Sequence, residues 1–196
     1  MDGRRVNWFG LAGGLLTIFL VIESLVFASP WWQLTVGRDF LHVVASPLKT
    51  NFSFLGVLIV IPIIWVLNLT CLLSLTASGI VMLIYSFVPT KNYSKHLLGF
   101  AYKKPLFTLL AFVVSLFVVT YAANALLQFN VPLNGSTTAT LPTSVTKGAS
   151  INVPIAAEFT WVFWLAITSA ILCIAARIYH GQIVSTSAAK APPSES

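Results

Sequence analysis

Apolar residues along this chain gather into four long runs separated by segments of mixed character. A bilayer core of ~30 Å takes ~20 helical residues to cross, and each run is long enough. The pattern predicts helical spans at about 8–28, 57–86, 105–127 and 157–179. The second apolar run, Leu55 to Val88, is longer than one crossing needs. At ~1.5 Å per residue it would measure about 50 Å as a single helix. It must therefore tilt or project past the lipid, with Pro62 kinking or starting it. Pro105 suits the first turn of the third helix.

The segments between spans carry a different period. In 29–54, Trp32, Leu34 and Val36 share one face, and Gly37-Arg38-Asp39 is a turn signal. Phe40 to Ala45 is strand-like, and Leu48, Thr50, Phe52 and Phe54 alternate with Lys49, Asn51 and Ser53. Period-2 alternation is the mark of a half-buried strand, so this segment reads as a three-strand antiparallel meander. In 128–156, Asn134-Gly135 and Lys147-Gly148 are hairpin-type turns. Thr137 to Leu141 and Ser150 to Val153 supply up to two more strands. The fold class is thus an all-α membrane protein: one domain over 1–180, a four-helix transmembrane bundle carrying a small extracellular antiparallel sheet built from both loops. Trp31 and Trp32 are expected to fasten that sheet at the lipid–water boundary, which Trp favours.

Composition narrows the class. Hydrophobic residues make up 57% and charged residues 8%, against about 25% charged in a soluble domain. A soluble enzyme, a nucleic-acid-binding module and a disordered chain are excluded. The formal charge of +6 sits in short clusters beside the apolar runs and implies no nucleic-acid partner. Arg4, Arg5, Lys91, Lys95, Lys103, Lys104, Arg177 and Lys190 fall on one side of the predicted spans; Arg38, Lys49 and Lys147 fall on the other. The positive-inside rule then places both termini and the 89–104 loop in the cytoplasm and loops 29–54 and 128–156 outside. The localisation expected is a plasma-membrane, multi-pass protein. Asn51-Phe-Ser53 and Asn134-Gly-Ser136, both on the outer side, are possible glycosylation acceptors. Arg4 and Arg5 before an apolar stretch also suit a signal peptide, but the stretch is long for one and contains Glu23. The 89–104 lysines would attract anionic headgroups, chiefly as a topology determinant, and the Ser/Ala/Pro-rich tail 181–196 is expected to be disordered in the cytoplasm.

Helices in lipid associate through close packing of small residues and interhelical hydrogen bonds. Gly10 and Gly14 in the first span, Ser74 and Ser78 in the second, Ala111 and Ser115 in the third, and Ala166 and Ala170 in the fourth form small-residue seams at helical spacing. They are read first as internal packing and second as a seam for a partner helix. Cys71 and Cys173 should lie at similar depth as small buried residues. Ionisable groups in a span are functional candidates. Glu23, Asn124 and Glu158 are all placed at the outer mouth, Glu158 opening the fourth helix where the dipole favours it. Snorkelling or pairing with Arg38 competes with a cation or proton site there. Asn68 is expected to donate hydrogen bonds within the bundle. The histidines are scattered, and no His/Cys cluster, phosphate loop or nucleophile elbow is present in the sequence, so neither catalysis nor a cofactor or metal is expected.

The run Pro30-Trp31-Trp32-Gln33-Leu34-Thr35 resembles the Pro-x-Trp-polar-aliphatic-Thr segment that opens the first extracellular strand in the claudin and peripheral-myelin-protein group of tetraspan proteins, with Trp32 at the tryptophan position. The layout is similar over the whole chain; the residue match covers these six positions. The Gly-Leu-Trp run and the loop cysteine pair of claudins have no counterpart here. The resemblance implies a non-enzymatic surface protein that associates sideways or with a facing partner through its outer sheet, using Trp31, Trp32, Arg38, Asp39, Phe52 and Phe54. Its partners would be membrane lipids and a second copy or another membrane protein. The alternatives are an accessory subunit of a larger respiratory or transport complex, and a small ion channel or transporter using Glu23, Asn124 and Glu158.

Overall fold

A computed structural model describes residues 6–37, 40–127, 130–140 and 152–188. In chain order the elements are α1 (Trp8–Val26), β1 (Trp32–Val36), β2 (Leu41–Ala45), β3 (Thr50–Phe54), β4 (Val57–Ile59), α2 (Pro62–Phe87), α3 (Ser94–Ala101), α4 (Lys103–Leu127), β5 (Gly135–Thr140), β6 (Asn152–Phe159) and α5 (Trp161–Ala188). Four helical segments are long and apolar enough to cross a membrane: Trp8–Val26, Pro62–Phe87, Ser94–Tyr121 and Trp161–Ser185. The strands form one six-stranded antiparallel sheet in the order β4-β3-β2-β1-β6-β5. The chain forms two compact units, a helical one (Met1–Val26, Cys71–Leu109, Leu165–Ser196) and a sheet-bearing one (Phe27–Thr70, Leu110–Trp164).

In the helical unit, glycines let backbones approach. A Cβ on Gly13 would lie 3.0 Å from Cys173 Sγ and 3.2 Å from the Cys173 backbone nitrogen; one on Gly14 would lie 3.0 Å from a Leu83 methyl. These contacts are tight enough that an added methyl group would push its neighbours aside, so α1 meets α5 and α2 at glycine. Gly10 faces Ser86 and Tyr85, and Gly79 faces Ile18. Met82, Tyr85, Leu98, Ala101, Cys173 and Ala176 form the core beside this seam. Polar cross-links accompany the packing: Thr17 Oγ1 and Ser169 Oγ are 2.9 Å apart, and Ser78 Oγ donates to Ala101 O at 2.6 Å. Ala166 and Ala170 are buried and Ser74 is half-buried. Ala111 and Ser115 correct the expected seam on α4. They face outward, and the buried positions among those described are Pro105, Thr108, Phe112, Leu116 and Thr120. That face mixes threonine with larger apolar residues, which small-residue spacing does not reveal.

In the sheet unit, Trp32, Leu34 and Val36 are buried while Gln33 and Thr35 are not. Their partners obey the same alternation, Leu34 standing between Val43 and Ala157 and Val36 between Leu41 and Ile155. One face is therefore apolar and the other polar, the usual state of an antiparallel sheet covered on one side.

Several boundaries differ from the sequence expectation, among them residues 94–104, taken as a loop, which hold α3 and the start of α4. Residues 57–59, taken as helix, form β4, and α2 starts at Pro62. Leu55 (φ +50°) and Gly56 (φ +77°) both lie in the left-handed region, and Phe54 pairs with Val57. That is a two-residue hairpin of the kind that matches strand twist. Residues 157–159, also taken as helix, end β6, because Ala157 and Phe159 point inward and pair with Leu34 and Trp32. Finally, α5 runs on to Ala188, past the expected start of a disordered tail at 181; residues 189–196 lie outside the described set.

Candidate functional site

The sheet's apolar face continues past the residues that cover it. From β1 outward, register places Val43, Phe52 and Ile59 in one row, and Leu41, Phe54 and Val57 in the next. Val43 is buried, Phe52 is half-buried and Ile59 is 46% exposed. Val57 reaches 67% and Leu58, on the opposite face, 57%. Val60, Ile61, Ile63 and Trp65 continue the exposed apolar surface into the first turn of α2. Among the described residues β4 is also an edge strand, with a neighbour on one side only. An edge presents unpaired backbone N–H and C=O groups, and proteins usually blunt it with charge or proline. Residues 55–61 contain neither, and only Pro62 follows.

Aromatic and polar contacts tie down the middle of the sheet and the β2–β3 turn. Trp31 lies 5.3 Å from Phe112 and 6.4 Å from Phe163, measured between ring centroids, and Phe159 stacks on Phe163 at 4.4 Å. Such pairs add to the burial of large aromatic area. Trp32 Nε1 donates to Leu133 O at 2.8 Å. Asn68, on the first turns of α2, clamps the β2–β3 turn: its Nδ2 donates to Pro47 O at 3.2 Å and its Oδ1 accepts from Thr50 N at 2.9 Å. It thus serves the sheet, where the sequence suggested a bond within the bundle. Ser46 holds the same turn, its Oγ accepting from Lys49 N at 2.9 Å and donating to Lys49 O at 3.0 Å.

The other expected site residues scatter. Trp31 and Trp32 are each 2% exposed, so they fasten the sheet from inside and present no surface to lipid or partner. Phe52 and Phe54 lie on β3 next to the open edge; Arg38 and Asp39 lie outside the described residues. Glu23, expected at a wet outer mouth, is 3% exposed, and its Oε2 has no hydrogen-bond partner among the described residues. Glu158 is an exposed strand residue opposite Gln33, whose amide donates to its carboxylate; it does not open a helix. Asn124 Oδ1 accepts from Val131 N at 2.7 Å and ties down the chain leaving α4. Glu158 and Asn124 are thus spent on local structure. Asn51 sits within β3, and Asn134 is exposed beside β5. A polar cavity of about 400 Å³ opens on the sheet's polar face between Gln33, Thr35, Ser136 and Glu158.

Two features escaped the sequence reading. Asn7 is wholly buried; its Nδ2 donates to Tyr85 Oη (2.8 Å) and Ala176 O (3.0 Å), and its Oδ1 accepts from Gly10 N (3.0 Å). Tyr85 Oη is in turn 3.1 Å from His180 Nδ1. An asparagine just before an apolar run is an N-cap signal, but nothing local announces the two distant partners. The other is β4 itself. Among the described residues no three His, Cys, Asp or Glu side chains gather as a metal site. No protein-family model matches the chain, and no curated protein is significantly similar to it.

Proposed function

We propose that this is a multi-pass plasma-membrane protein of claudin-like layout, with both termini in the cytoplasm and the sheet on the outer side, acting without catalysis as a structural or interaction protein. On this reading two copies join side by side through β4. The single observation carrying the proposal is that β4 is, among the described residues, at once an open edge and apolar on both faces. With four crossings, the α1–α2 and α4–α5 segments emerge on the same side, which agrees with both supplying one sheet. The charge bias of the loops supports that side being the exterior. Water can satisfy the backbone groups of β4 but leaves its apolar side chains exposed, and lipid covers the side chains but not the backbone groups; a second β4, antiparallel about a two-fold axis, does both.

Cysteine crosslinking tests it. In a two-fold antiparallel pair the central residue meets its own copy at a spacing of about 4.5–5.5 Å, within disulfide range. Leu58→Cys in native membranes should give a disulfide-linked dimer under mild oxidation, and Ser136→Cys, on the opposite edge, should not. A lone monomer band from Leu58→Cys refutes the pairing. An adduct with one different protein transfers the edge to the accessory-subunit reading. The transport reading is left with Glu23: among the described residues it is the one carboxylate on a helix, and a proton path needs more than one station.

A further inference from the structure

The helical unit holds an open cavity of about 410 Å³ lined by Lys95, His96, Gly99, Tyr102, Lys103 and Arg177. This is within the ~300–1,000 Å³ range of small-ligand sites. Three full cations converge on it from α3, α4 and α5; Lys95 and Lys103 are exposed, and Arg177 is half-buried. Convergence of like charge is costly unless an anion compensates it. Among the described residues of the helical unit none does. Its one described carboxylate, Glu23, is sixteen residues along α1 from Asn7, which bonds to Ala176 beside Arg177. That is roughly 24 Å of helix, well over a Debye length of ~8 Å.

A topology signal does not explain the arrangement, because it needs only a count of basic residues. Lys91 and Lys104 add to that count without lining the cavity, and Lys104 stands over the Phe100 ring at 5.4 Å. The pocket instead offers a guanidinium, two ammonium groups and a phenol. A phosphate group brings charge and several acceptor oxygens to match such donors. Gly99 leaves the space open: a Cβ there would meet nothing within 4 Å.

We propose that this cavity is a binding site for a phosphate-bearing anion, either the headgroup of an anionic lipid or a soluble phosphate. It shares no residue with the β4 edge, so either proposal can fail alone. Native mass spectrometry of the detergent-extracted full chain, titrated with phosphatidylglycerol, phosphatidylcholine or inorganic phosphate, tests it. Phosphatidylglycerol should be retained where phosphatidylcholine is not. Arg177→Gln should weaken retention about tenfold, the size expected for one charge-assisted hydrogen bond. Gly99→Glu should do the same by placing a carboxylate in open space while every native cation stays. Lys91→Gln and Lys104→Gln, which remove equal charge outside the cavity, should leave retention unchanged. Binding of inorganic phosphate without lipid preference, lost in Gly99→Glu, assigns the site to a soluble anion. Equal retention of both lipids with no phosphate binding overturns the proposal, as does equal loss in Lys104→Gln and Arg177→Gln.

Discussion

Replacing Asn7 by alanine removes three interactions at one point. The side chain caps α1 through Gly10 N, and its amide donates to Tyr85 Oη on α2 and to Ala176 O on α5. Losing an N-cap costs about 1 kcal/mol. Each of the two buried hydrogen bonds contributes about 1 kcal/mol net. Tyr85 retains His180 as a partner, so its phenol is not stranded by the change. The sum predicts a loss of about 3 kcal/mol for Asn7→Ala, large against the ~5–15 kcal/mol of a typical fold. Asn7→Ser keeps an acceptor for Gly10 N but cannot reach two distant oxygens, so it should lose about 2 kcal/mol.

The assay is equilibrium denaturant unfolding of the detergent-solubilised chain, with a double-mutant cycle against Tyr85→Phe. The Asn7–Tyr85 bond should show as a coupling of about 1 kcal/mol. Asn7→Ala within about 0.5 kcal/mol of the native chain, the scatter of a neutral surface change, would refute the reasoning. So would full additivity with Tyr85→Phe, because then the amide and the phenol do not interact.

Two further predictions follow from backbone and packing geometry. Leu55 holds a left-handed conformation (φ +50°) with its side chain exposed, and such a backbone costs roughly 1–2 kcal/mol for an ordinary residue. Leu55→Asn should stabilise the chain by about 1 kcal/mol, since asparagine tolerates that conformation in hairpin turns; destabilisation in the same unfolding assay would count against the β3–β4 turn. Trp31→Ala empties the centre of the Trp31–Phe112–Phe163 cluster and should cost about 3–5 kcal/mol, with loss of near-ultraviolet circular dichroism. An unchanged spectrum and midpoint would show that the cluster does not hold the sheet.

How far the sequence reveals this architecture depends on which faces of an element differ. β1, β2 and β3 were legible because Trp32, Leu34 and Val36, or Thr50, Phe52 and Phe54, alternate with polar neighbours. The four apolar helices were legible from run length alone. Glu158 was misplaced because the end of the strand holding it, Ile155 to Phe159, is nearly as apolar as the helix that follows. Glu23 was misplaced because position along a helix gives depth but not direction; it faces inward. Asn7 shows a third limit, since its partners lie 78 and 169 residues away.

β4 shows the most consequential limit. Val57, Leu58 and Ile59 are apolar on both faces, so no period separates them from the helix beginning at Pro62. The trace they left was the excess length of the second apolar run. A strand inside a doubly covered sheet has this composition, whereas an edge strand facing water alternates or carries charge. β4 thus has the chemistry of an interior strand in the position of an edge. Lipid would account for its side chains but not for its open row of backbone groups, and water on the outer side would account for the backbone groups but not for the side chains. A neighbouring strand accounts for both, and that is why self-pairing at β4, more than any single side chain, is where the function of this protein should first be sought.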